Sequence, residues 1–180
     1  MNDPPSPTLD DVEVVGGDEQ VDVVVDVDRW CRLAGAVVRD GGRTGELTLT
    51  FVGRDEIAAL NAEHLGHTGP TDVLSFPLDD VAGAPGADVP VLLGDVVVCP
   101  SVAVEQAAGH AGAIDDELAL LVVHGVLHVL GHDHADDDEL HTMQSRELEL
   151  LELHHWMGRA PAAFLAGHRA VAFTSRRDEP

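Results

Sequence analysis

The sequence contains no lysine and no tyrosine, and cations are scarce throughout. All ten basic residues are arginine, against 33 acidic residues, and the formal net charge is −23. Such a charge repels nucleic acid at long range, so composition alone argues against a polyanionic ligand. Aromatic residues make up only 3% of the chain, so aliphatic side chains must fill any core.

Cysteine and long apolar runs are also rare. Cys31 and Cys99 lie far apart and form no metal-type pair, so we interpret both as reduced, packed thiols. No hydrophobic run approaches the length of a membrane span. The first residues, MNDPPSP, lack the basic and apolar regions of a secretory signal. We therefore expect a cytoplasmic protein with no membrane partner.

The length of 180 residues is typical of one domain with tails. Residues 1–20 are rich in proline and aspartate and are predicted to form a disordered acidic tail. A single domain is expected over 21–158, followed by a partly disordered extension over 159–180.

Hydrophobic periodicity predicts four strands with helices around them. We expect an α+β fold, a small mixed sheet packed against helices, with the helix over 114–130 in its core. The strands are predicted over 21–27, 45–53, 71–77 and 91–100, the helices over 28–40, 55–65, 101–112, 114–130 and 138–156, and a loop over 78–90.

The core helix ends in LVVHGVLHVLGHDH, residues 121–134. His124 and His128 are four residues apart, so their rings share one helix face. Gly131 lets the chain turn, and the turn can return His134 to the first two imidazoles. Three imidazoles suit zinc and leave one coordination position for water. The sequence predicts one zinc ion per chain, although nickel, cobalt and copper also accept imidazole.

The alternative is that these histidines are hydrogen-bonded to the protein itself. Within the same stretch, His132 is a candidate fourth ligand or an outward-facing residue. Asp133 could accept the second N–H of a ligand imidazole or simply stabilise a turn.

The spacing also matches the protease pattern H-E-x-x-H-x-x-G-x-x-H at all but one position. Gly125 replaces the glutamate that serves there as general base, which argues against a metallopeptidase. Glycine at this position also permits close approach to the helix, as a bulky substrate would require.

Three segments together resemble the YbeY family of bacterial zinc-dependent endoribonucleases. They are HGVLHVLGHDH, GPTDVLSFP (69–77) and GDVVVCP (94–100), which occur in the family's order. The resemblance covers roughly residues 46–156. It implies a single α+β metallohydrolase domain with His124, His128 and His134 on the metal.

The resemblance further implies a single-strand-specific endoribonuclease of late 16S rRNA 3′-end maturation and ribosome quality control. The partners implied are the 16S rRNA precursor, the small ribosomal subunit with its proteins, and the GTPase Era, but not DNA. Many family members carry an arginine where this chain has Leu65. Asp72 and Asp133 are the candidates for general base, and Asp72 is alternatively a hydrogen-bonded residue at a strand end.

Two other functions remain open from the sequence. A metal-stabilised ribosome assembly factor without catalysis is favoured by the absent arginine and by the lack of an obvious base. It is disfavoured by the open three-histidine pattern, because structural zinc usually has four protein ligands. A metallopeptidase ranks third because of Gly125.

Overall fold

The computed structural model describes residues 12–78, 91–133 and 136–164. Strands and helices alternate in the first half of the chain, and helices dominate the second half. In chain order the elements are β1 (Val12–Asp18), α1 (Val27–Asp40), β2 (Gly45–Phe51), α2 (Arg54–Leu65), β3 (Val73–Pro77), β4 (Leu92–Val98), α3 (Pro100–Ala107), α4 (Ile114–Val129) and α5 (Asp137–His154).

The four strands form one sheet in the order β1-β2-β4-β3. β1 is parallel to β2 and β2 is parallel to β4, whereas β3 is antiparallel to β4. The sheet is therefore mixed, with β1 and β3 at its edges. The predicted α+β domain with a small mixed sheet is confirmed.

The main core lies on one face of this sheet. Leu47, Leu49 and Phe51 alternate with polar residues along β2, and each is completely buried. Side chains of α1, α4 and α5 pack into the same cluster. Most of α4 is buried, which confirms the prediction of a core helix at this position. A smaller cluster, which contains Ile57 of α2, lies on the opposite face.

The strand predicted over 21–27 is wrong, because the first strand lies at Val12–Asp18. Val21 and Val24 are almost fully exposed, whereas residues 12–18, expected in a disordered tail, pair with β2. Gly16 lies in the contact between β1 and α1. A Cβ there would clash with the Cys31 Sγ atom, so the glycine lets α1 pack directly on β1.

The remaining domain limits stay predictions. Of the loop expected over 78–90 only Leu78 lies within the described residues, and the extension over 159–180 is described as far as Phe164. In the described parts of the chain, no helix has both the length and the hydropathy needed to span a membrane.

Candidate metal centre

Helix α4 brings His124 and His128 together, as their spacing predicts. Their Nε2 atoms lie 3.1 Å apart, and their rings are nearly perpendicular with centroids 4.6 Å apart. His124 is 2% exposed, and His128 is half-buried one turn later. The two imidazoles therefore direct the same ring nitrogen to a common point at the surface of the core.

A buried carboxylate holds the other side of the first imidazole. Nδ1 of His124 lies 2.6 Å from Oε1 of Glu147, and both side chains are almost completely buried. When the imidazole is neutral, an Nδ1–H donated to this carboxylate leaves the lone pair on Nε2. Glu147 thus orients the nitrogen that faces His128.

Glu147 is missing from the sequence-based candidates, although the sequence carries a signal for it. Met143, Leu150 and Leu151 form the buried stripe of α5, and position 147 lies on that stripe at i+4 from Met143. A carboxylate on an apolar stripe needs a buried partner. The sequence offers Asp133 either for orienting a ligand imidazole or for stabilising a turn, and the carboxylate observed on His124 is Glu147.

The turn after α4 has a backbone conformation that would allow a later residue to come back to the histidine pair. Gly131 adopts φ 93°, a conformation that favours glycine, and its N–H donates to the carbonyl of His128. The chain therefore bends directly beyond the histidine pair. His134 itself lies outside the described residues, so its role as a third ligand stays a prediction.

The observed donor pair fits a metal ion. Two nitrogens, each about 2.05 Å from a tetrahedral zinc ion, lie roughly 3.3 Å apart. The distance of 3.1 Å between the Nε2 atoms is close to this value, and it is also the length of a hydrogen bond between the two rings. Within the described residues, no group of three or more His, Cys, Asp or Glu side chains is arranged to hold a metal. The structure therefore contributes two imidazoles toward the predicted set of three.

The space beside Gly125 is filled by other side chains of the protein, so the expectation that this glycine makes room for a substrate is wrong. A Cβ built there would lie 2.6 Å from Cγ1 of Val96 and 3.2 Å from Oγ of Ser75. Helix α4 therefore lies directly on β3 and β4 at this point. A glutamate side chain would begin inside this packed contact, which is a physical reason against the protease arrangement.

The two candidate bases have different surroundings. Asp72 is 5% exposed, and its Oδ1 accepts hydrogen bonds from the Val73 N–H at 2.8 Å and the Thr71 hydroxyl at 3.1 Å. These bonds match the alternative of a hydrogen-bonded residue at a strand end. Asp133 is exposed just after the glycine turn. The catalytic role of either carboxylate stays a prediction.

Two further positions singled out from the sequence, His132 and Leu65, have the following surroundings. Desolvation, and then the positive charge of Arg146, lower the pKa of His132, which favours its neutral form. Leu65 packs against the smaller apolar cluster on the opposite face of the sheet. The chain thus places an apolar contact where the resemblance leads one to expect a cation.

Comparison with known proteins agrees with the resemblance in the sequence. The family model described as "Endoribonuclease YbeY" matches residues 18–155. A protein of that name from Thermobifida fusca is 44% identical over 134 residues, which cover 72% of this chain and 86% of the relative. Another from Salinispora tropica is 49% identical over 115 residues, covering 59% of this chain and 72% of the relative.

A solved structure shows the same fold. The solution structure of a protein from Thermotoga maritima superposes with a TM-score of 0.52 at 25% sequence identity. The match covers 80% of this chain and 91% of the Thermotoga protein. It therefore extends over most of the described elements.

Proposed function

The chain belongs to the YbeY endoribonuclease family, and on this basis we propose that it is a metal-dependent endoribonuclease that cleaves single-stranded RNA. The observation that supports the metal dependence most directly is the pair of Nε2 atoms 3.1 Å apart on α4. The substrate proposed is the 16S rRNA precursor, in late 3′-end maturation and ribosome quality control.

His124, His128 and His134 would hold the metal, with zinc the first choice for a set of imidazoles. When bound, zinc supplies Lewis acidity for hydrolysis of a phosphodiester. Glu147 accepts the Nδ1–H of His124 and keeps the Nε2 lone pair directed to the site. Gly131, with φ 93°, gives the chain a turn directly after α4, which supports the proposal that His134 joins the pair.

Asp72 and Asp133 are our candidates for the general base. A general base must come within hydrogen-bond reach of the proton it removes. Asp133 immediately precedes the third proposed ligand, and Asp72 immediately precedes β3, which contacts Gly125 through Val73 and Ser75. Asp72→Asn and Asp133→Asn should be compared for kcat at constant metal content.

The proposed partners are the small ribosomal subunit with its proteins and the GTPase Era. A chain of net charge −23 gains little from the electrostatic term that usually dominates RNA affinity. Ribosomal partners would therefore deliver the substrate, which places the activity in the cytoplasm.

A second function is supported by the packing of Leu65. Because this side chain belongs to an apolar cluster, the position presents no cation to RNA. This favours a metal-stabilised ribosome assembly factor without catalysis as the alternative.

The experiment measures metal content and RNA cleavage in one preparation of wild type, His128→Ala and the control His141→Ala. His141 is exposed on α5, so its loss should change neither quantity. We expect one metal per chain and cleavage of single-stranded RNA in wild type, with both lost in His128→Ala. Bound metal without cleavage in wild type would favour the assembly factor. A wild-type protein that binds no metal would refute the metal centre.

A further inference from the structure

Arg32 and Arg39 are exposed and form no ion pair with a described residue, a property that they share with Arg159. Carboxylates outnumber cations by 33 to 10, so most arginines should find a partner. Arg29, Arg54 and Arg146 each lie 2.6 or 2.7 Å from a carboxylate oxygen. Two exposed arginines without one are therefore unexpected in this chain.

The two arginines lie on the same face of α1. They are seven residues apart, which is almost two helical turns and about 10.5 Å along the axis. Between them are Gly35 and Ala36, which have no long side chain. A Cβ built on Gly35 would lie 3.4 Å from Nη2 of Arg39, so this guanidinium folds back along the helix toward Arg32. A linear molecule could contact both cations.

Acidic residues lie at both ends of the face of α1 that carries the two arginines, so only the part between these ends is positive. Asp28 precedes Arg32 by one turn at the beginning of the same face. Asp40 follows Arg39 but points to α5, where its Oδ2 lies 3.1 Å from His154 Nε2 and 3.8 Å from Arg146. The positive stretch therefore runs from Arg32 to Arg39.

This face is separate from the histidine pair. α1 packs on β1 through Cys31 and Gly35. On its other side, Trp30, Leu33 and Val37 are buried in the core that α1 shares with α4. Arg32 and Arg39 are both exposed, and the guanidinium of Arg39 lies beside Gly35 at the border of the β1 contact. The two arginines can therefore raise the affinity for a ligand without contacting the atoms of the ligand that react.

We propose that Arg32 and Arg39, the α1 arginine pair, bind the sugar–phosphate backbone of RNA. Guanidinium groups are suited to phosphate because they donate parallel hydrogen bonds in a planar fork. The inference rests on the proposed function, since it takes RNA as the ligand. It predicts that most of the electrostatic affinity of this acidic protein comes from one small surface.

The test is binding of a fluorescent single-stranded RNA to the metal-loaded protein at several salt concentrations, with RNA length checked afterwards. Variant Arg32→Gln/Arg39→Gln removes the pair, and Arg32→Lys/Arg39→Lys keeps its charge. Variant Arg54→Gln/Arg159→Gln is the control, because it removes two cations that are not on this face of α1: Arg54, which pairs with Glu105, and the exposed Arg159.

For two lost phosphate contacts, the slope of log K against log salt should become shallower by about 1.4. The lysine variant and the control should keep the wild-type slope, and kcat should not change in any variant. An unchanged slope in the glutamine variant, or an equal loss in the control, would overturn the arginine pair while leaving the nuclease proposal intact. RNA binding with the expected slopes but without cleavage would support the pair and refute the nuclease. A wild type that does not bind RNA would overturn the pair.

Discussion

Replacing Glu147 by glutamine tests whether this carboxylate serves the metal site or only the fold. The substitution keeps the size of the side chain, and the amide oxygen can still accept the Nδ1–H of His124. What disappears is the negative charge 2.6 Å from the ring. A hydrogen bond to a charged acceptor is roughly twice as strong as one between neutral groups.

The expected loss is about tenfold in zinc affinity, the lower end of the range for groups that orient a ligand histidine. A factor of ten corresponds to about 1.4 kcal/mol. With zinc in excess, the stabilisation conferred by the metal should fall by about the same amount. The metal-free protein should keep its stability or gain some, because the variant no longer buries a charged carboxylate.

The assay is a competition titration of metal-free protein against a chromophoric zinc chelator, with thermal unfolding recorded with and without zinc. Glu149→Gln is the matched control, since Glu149 is 64% exposed on the same helix and pairs with Arg146. Zinc affinity within twofold of wild type would refute the orienting role. Equal destabilisation with and without zinc would show that Glu147 matters for the fold alone.

Two further predictions concern packing and thiol chemistry. Gly125→Ala places a Cβ 2.6 Å from the Val96 Cγ1 atom, and we expect it to lower the free energy of unfolding in urea by roughly 1–3 kcal/mol. The control Gly109→Ala, whose new Cβ would be 3.8 Å from its nearest neighbour, should change the stability little. Equal stability of the two variants would contradict the packed contact. Burial, and then the charge of Asp28, raise the pKa of the Cys31 thiol, so its reaction with a disulfide reagent at pH 8 should be slower in the folded protein than in urea. Equal rates would argue against this environment.

The helices and the central strands were predictable because their patterns are local. β2 alternates cleanly, and α4 was recognised from its apolar run. The edge strand β1 was not, since VEVVGGD is half-exposed, rich in glycine and stabilised by pairing with β2 and packing under α1. Its burial depends on neighbours that no local pattern contains.

The sequence by itself determined the histidine pair, because residues four apart on a helix share a face whatever surrounds them. It also determined the family, through three motifs in order. The tertiary structure decided which carboxylate meets His124, since Glu147 lies 23 residues away and arrives only when α5 packs on α4. It likewise decided the role of Gly125, because β3 and β4, which occupy the space of its missing side chain, are distant in sequence and adjacent only in the fold.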